Sequence, residues 1–241
     1  MPTDSVYLPV HVGAEGKASI GYTPDNTGDN ISSKNPHFCE LTGLYWAWKN
    51  LDADYLGLVH YRRYFTRKEV HNIKAKKDQI LTEKEWQQLL SEHPVVVPDK
   101  RKYYIETNRS HYNHAHHREG LDVTEHIIKD QCPEYLPAFE KVMNRTWAHM
   151  FNMFVMRRDY FQDYMEWLFS VLFELEKRID ITDWDTYNSR VYGFVAERLL
   201  DVWLEHNDID YMEQNVSFME RQDWVKKGGL FLKRKFLGRS L

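Results

Sequence analysis

Apolar positions along the chain fall into two rhythms, and together they predict a mixed α/β domain. Phe38, Leu41, Leu44, Tyr45 and Trp48 recur at three- and four-residue spacing and predict an amphipathic helix over 36–50. Phe161, Tyr164, Met165, Leu168, Leu172 and Leu175 do the same over 159–178, and a further helix is expected over 187–206. Shorter helices are expected over 122–129 and 134–145, punctuated by Pro133 and Pro137. Thr82-Glu-Lys-Glu85 has the form of a capping box opening a helix to Glu92. The second rhythm is that of strands: a buried apolar run from Tyr55 to Val59, Val95-Val-Val97 between prolines, and an alternating stretch over 149–156 interrupted by Asn152. Val6–Val12 contains Pro9, which suits an edge strand or an extended arm. Residues 13–35 read as a long polar loop, and the lysine-rich run 67–78 as an exposed one.

Chemistry gathers where strands are expected to end. The run from Tyr55 stops abruptly at His60-Tyr61-Arg62-Arg63-Tyr64-Phe65, and open α/β sheets place ligands at the carboxyl ends of their strands. Two adjacent guanidiniums suit a phosphate or diphosphate, although a solvated basic turn has the same composition. Val95–Val97 similarly leads into Asp99-Lys-Arg-Lys-Tyr-Tyr104, which could receive an anionic donor or a sugar. Thr27, Asp29 and Asn30 supply polar groups for a base, ribose or phosphate, or merely cap a turn. Four histidines, His111, His114, His116 and His117, crowd seven residues but lack a recognised metal spacing, so a polar substrate-facing segment is expected there. Asp52 and Asp54 precede their strand and should lie at its far end, as a helix-to-strand turn rather than as metal ligands. Glu197 beside Arg198 on an apolar helix reads either as a buried ion pair or as a general base near a cleft.

Composition narrows these options. A chain of 241 residues with formal charge −4 fits one principal domain and argues against a general nucleic-acid binder. Two cysteines in unlike contexts indicate neither a disulfide framework nor a zinc site and fit a reducing cytoplasm. No apolar run approaches the ~20 residues that span a bilayer. The stretch from Trp224 to Leu241 carries six basic residues and no acidic one among dense apolar residues, which predicts a peripheral membrane segment. The expected organisation is a single domain over 1–222 followed by a basic amphipathic tail over 223–241.

Several blocks together, Thr27-Gly-Asp-Asn-Ile-Ser, Lys34-Asn-Pro-x-x-Cys-Glu-Leu-Thr, Gly57-Leu-Val-His-Tyr-Arg-Arg-Tyr-Phe65, His149-Met-Phe-Asn-Met-Phe154 and Arg190-Val-Tyr-Gly-Phe-Val-Ala-Glu-Arg-Leu199, resemble a bacterial domain-of-unknown-function family. That family is associated with glycosyltransferases of capsular and exopolysaccharide biosynthesis. The resemblance implies a GT-A-like α/β fold, with a mostly parallel central sheet flanked by helices and a helix-rich C-terminal half. It also implies a first apolar strand ahead of the part matching Met1–Asp4, so this chain is expected to lack that strand. The implied activity is transfer of a hexose from a nucleotide-diphosphate sugar to a lipid-linked glycan in capsular, exopolysaccharide or O-antigen assembly, at the cytoplasmic face of the membrane. The alternative is a non-catalytic nucleotide- or carbohydrate-binding module.

On the transferase reading, Glu197, His111 and His149 are the candidate bases. Thr27, Asp29, Asn30, His60, Tyr61, Arg62 and Arg63 are expected on the donor, and Tyr104, His114, Asn152 and Arg190 on the acceptor. A divalent cation, Mg or Mn, is compatible with the reaction, but no stretch carries a convincing ligand motif. The expected partners are therefore the nucleotide sugar, the lipid-linked acceptor and the membrane surface, without nucleic acid.

Overall fold

The computed structural model describes residues 2–68, 70 and 72–220. The tail expected over 223–241 lies outside the described residues. The strands are β1 Val10–His11, β2 Thr23–Pro24, β3 Tyr55–Leu58, β4 Arg63–Phe65, β5 Val95–Pro98, β6 Arg101–Lys102, β7 Trp147–Ala148, β8 Phe154–Arg157, β9 Met212–Gln214 and β10 Val216–Phe218. The helices are α1 Asn35–Phe38, α2 Leu41–Asn50, α3 Ile73–Lys77, α4 Glu83–Glu92, α5 Asn108–Ala115, α6 Glu119–Gln131, α7 Leu136–Asn144, α8 Arg158–Arg178 and α9 Val191–His206.

The central sheet has the order β3-β8-β5-β9. β8 runs against β3 and β5, while β5 and β9 pair in parallel. The sheet is therefore mixed, where a mostly parallel one was expected: between β5 and β8 the chain passes through α5, α6, α7 and β7, then turns at Phe151–Asn152 and enters β8 antiparallel to both neighbours. β3 sits at one edge and is half exposed, so the expected buried strand is an edge strand. Its Gly57 permits close approach to β8, since a Cβ there would lie 2.2 Å from the Phe154 carbonyl oxygen. β5 is buried along its whole length between β8 and β9.

Strand alternation divides the core. Val95, Val97, Phe154 and Met156 join the large cluster built with α2, α6, α7, α8 and α9. Val96 and Met153 instead join Phe65, Leu81, Trp86 and Leu90 in a smaller cluster under α4. The predicted stripe of α8 is buried at each of its six positions. α9 is apolar on nearly every side because it is enclosed by neighbouring helices, which is how a helix reads when it has no solvent face. The Thr82 hydroxyl and backbone N–H both donate to Glu85, closing the capping box at α4.

Two expected elements are broken by backbone geometry. The helix expected over 36–50 divides at Cys39 (φ 53°, ψ −131°). The strand expected over 149–156 divides at Phe151 and Asn152 (φ 78° and 52°). None of these three is glycine, so each break costs conformational energy that the surrounding contacts must offset.

The N-terminal loop is ordered around a residue that its composition did not single out. Asp25 is fully buried and accepts hydrogen bonds from Gly13 N (2.7 Å), Ala14 N (2.9 Å), Ser32 Oγ (2.5 Å) and Thr42 Oγ1 (2.7 Å). Burial alone would raise its pKa, but these donors outweigh burial and hold it below the ordinary aspartate value. Its contribution to stability is therefore present above the unfolded-state pKa and lost as pH falls through the folded-state value. Asp25→Ala leaves buried donors unpaired and is expected to destabilise the fold by ~3 kcal/mol, seen as a lower urea midpoint. An unchanged midpoint would show that water replaces the carboxylate.

Candidate functional site

At the carboxyl ends of β3, β5 and β9, and hence the amino end of β8, charged side chains from distant segments converge. Cys39 turns the chain so that Glu40, half-buried, faces His60 just beyond β3: Glu40 Oε1 lies 3.7 Å from His60 Nε2. The same oxygen accepts from Asn152 Nδ2 at 2.8 Å, and Asn152 also donates to the Gly193 carbonyl at 3.2 Å. Burial would raise the Glu40 pKa, yet His60 and Asn152 together hold it below the ordinary glutamate value. Glu40 is thus kept ionised.

Glu197 projects from α9 toward the same turn. Its Oε1 accepts from the Phe151 N–H at 3.2 Å, and its Oε2 from buried Arg198 at 2.7 Å. Burial pushes its carboxyl above the ordinary value, with Arg198 opposing and the Glu40 charge adding to the rise. Two neighbouring carboxylates are therefore driven in opposite directions.

The arginine doublet separates. Arg63 is half-buried, its guanidinium carbon 4.2 Å from the Phe151 ring centroid and 5.2 Å from that of Phe218 on β10. Burial lowers its pKa, and the Glu197 and Glu40 carboxylates oppose that shift. Its Nε has no hydrogen-bond partner among the described residues. Arg62 is exposed instead, stacked on Tyr61 and paired with Glu220 at 3.3 Å. Arg190 approaches from the start of α9, donating from Nε to Cys39 Sγ at 3.0 Å and lying over the Phe194 ring.

Of the residues singled out from sequence, His60, Arg63, Asn152, Arg190 and Glu197 meet around Glu40. His149 is enclosed nearby: its Nδ1 lies 2.5 Å from Asp201 Oδ1, and its backbone N–H donates to the same carboxylate. With its side chain 0% exposed, it is placed to brace the segment leading to Phe151. His111 stacks on Tyr103 at 4.0 Å, and burial together with Arg198, Arg101 and His114 lowers its pKa to about 3. It is neutral at pH 7 but only a weak base. His114 pairs with Glu106 at 2.6 Å, and Tyr104 is 82% exposed. Thr27 and Asp29 contact α2, through Trp46, Tyr45 and Asn50. Asn30 is spent within its own loop, donating to the Gly28 carbonyl and accepting from the Ser32 N–H.

Sequence reasoning missed Glu40, Phe151 and Phe218. Glu40 lies off the apolar stripe of its helix and meets Asn152 from 112 residues away. Its one local signal is that an acidic residue interrupts an otherwise amphipathic segment. Asp52 and Asp54 lie at the opposite end of β3, where Asp52 pairs with Arg158 and the Asp54 carbonyl accepts from the Arg158 N–H. Among the described residues no group of three or more His, Cys, Asp or Glu side chains is placed to hold a metal ion.

Known proteins can now be set beside this geometry. The model of a domain of unknown function, DUF4422, matches residues 1–208. The chain belongs to that family. No curated protein matches it. Among solved structures, the apo form of the WbbM bifunctional glycosyltransferase is similar, with a TM-score of 0.84 and 30% sequence identity over 92% of this chain. The match takes in 43% of the WbbM chain, so this DUF4422 chain spans less than half of that protein's length. Its mixed α/β architecture is similar to that of part of this glycosyltransferase.

Proposed function

We propose that this chain is a glycosyltransferase that moves a hexose from a nucleoside-diphosphate sugar to a lipid-linked glycan during surface-polysaccharide assembly. The observation that carries the reading is the carboxylate–arginine cluster around Glu40 at the strand ends. The likeness to a glycosyltransferase and the DUF4422 membership support it.

Transfer requires an acceptor hydroxyl to lose its proton as its oxygen bonds to the anomeric carbon. The bond from that carbon to the donor phosphate oxygen breaks at the same time, leaving its electron pair on the diphosphate. Glu197, with its raised pKa, is the stronger base of the two carboxylates and is assigned to take the proton. Arg63 and Arg190 are assigned to the charge that develops on the diphosphate, as fixed cations that need no reorganisation. Glu40 holds His60 and Asn152 in place beside them. A Mg or Mn ion held by one or two carboxylates and the diphosphate itself is compatible with the reaction, and the step is assigned to the arginines alone.

A thermal-shift screen of nucleotide sugars, followed by a transfer assay on the stabilising donors, tests the reading. A donor that binds the folded chain raises its melting temperature with concentration. Stabilisation without transfer or donor hydrolysis would instead identify a non-catalytic binding module. Turnover measured with and without a chelator tests charge neutralisation by arginine. Retained turnover is expected, and complete loss would show that a cation shares that role.

A further inference from the structure

The segment after β5 projects apolar side chains into solvent beside the site. β6 exposes Arg101 and Lys102, and the chain then turns sharply at Tyr104. The Ile105 N–H donates to the Tyr103 carbonyl at 2.7 Å across Tyr104, whose φ is 61°. This is a γ-turn of the rare, strained hand. Its effect is to leave Tyr104 82% and Ile105 73% exposed, more than any other large apolar residue described. A fold that tolerates a strained non-glycine turn in order to expose an aromatic and an isoleucine calls for a functional reason.

The turn is tied to the site on its inner side. Tyr103 is buried, stacks on His111 and donates to Met150 Sδ at 3.0 Å. Phe151, whose ring carries the Arg63 guanidinium, packs in the same small cluster as Tyr103 and Met150. Glu106, next to the turn, is buried and paired with His114, so at the tip the exposed groups are Arg101, Lys102, Tyr104 and Ile105, with exposed Asp99 two residues before Arg101.

We propose that the Tyr104–Ile105 turn, with Arg101 and Lys102, docks the rim of the site onto an anionic phospholipid surface. A phenol ring beside an aliphatic side chain is suited to the boundary between headgroups and acyl chains, and flanking cations are drawn to anionic headgroups. A sugar platform would explain Tyr104 but gives no role to Ile105. Docking here would bring a lipid-linked acceptor to Arg63 and Glu197 without its leaving the bilayer. In that respect the proposal rests on the transferase reading, but its readout is binding and requires no transfer.

The test is co-sedimentation of the full chain with vesicles of phosphatidylcholine alone or mixed with phosphatidylglycerol. Wild type is expected to partition into the mixed vesicles and only weakly into the neutral ones. The double variant Tyr104→Ser, Ile105→Ser should weaken partitioning into mixed vesicles about tenfold. The variant Arg101→Gln, Lys102→Gln should weaken it roughly thirtyfold at low salt and flatten its salt dependence. All four residues are exposed, Arg101 and Lys102 on β6 and Tyr104 and Ile105 at the turn after it, so an unchanged melting temperature accompanies the expected result. Partitioning of both variants at the wild-type level would overturn the proposal, whatever the transfer assay shows.

Discussion

Glu197→Gln is expected to reduce turnover by roughly 10²–10⁴-fold, the range associated with loss of a general base. Gln keeps one oxygen, which can still accept from the Phe151 N–H, while its NH2 group faces Arg198 and accepts nothing, so the turn at Phe151–Asn152 keeps its hydrogen bond and the proton acceptor is lost. The pH profile distinguishes this role from a structural one. Burial raises the Glu197 pKa, and the carboxylate must be ionised to act as a base. Activity should therefore fall as pH drops through that raised value, giving an acid limb above the ordinary glutamate value of 4.5. Residual activity in the variant should show no such limb. Removing the charge also leaves buried Arg198 without its counter-ion, which costs about 3 kcal/mol and lowers the melting temperature. A variant that is merely destabilised but retains the limb would assign Glu197 to bracing alone.

Arg63→Met is the second large effect. Methionine preserves apolar packing against the Phe151 and Phe218 rings but removes the guanidinium. Loss of a preorganised charge stabiliser should lower turnover on the order of 10²–10³-fold, with a parallel loss in nucleoside-diphosphate affinity. Arg62→Ala should have a much smaller effect, because Arg62 is exposed and already paired with Glu220. Isothermal titration of each variant with a nucleoside diphosphate provides the comparison. Equal affinities for wild type and Arg63→Met would remove the diphosphate from this position.

Local pattern was enough for much of the helical half. The α8 stripe, the Thr82 capping box and the buried β5 each depend on residues within a few positions of one another, where periodicity and capping chemistry act. The placement of Asp52 and Asp54 away from the strand ends was also legible, because chain direction fixes which end of a strand a preceding residue occupies. What the pattern concealed were the breaks at Cys39, Phe151 and Asn152. These residues adopt positive φ without being glycine, so no local signal announces the turn. Tertiary contacts enforce it: Asn152 is held by Glu40 and Gly193, and Phe151 by Glu197. The position of β3 at the sheet edge was hidden for a related reason. Composition gives an apolar run but not the number of its neighbours.

The aromatic corner around Arg63 bears on the order in which the chain assembles. Phe151 and Phe218 pack edge to face with centroids 5.7 Å apart and form a corner against the guanidinium, so that corner is complete only when a strand near the far end of the described chain pairs with β4. During synthesis the histidine–arginine motif emerges early, yet its charge is not held in place until residue 218 has left the ribosome. The aromatic surroundings of Arg63 are thereby completed only after every helix and every other strand of the described residues has been made.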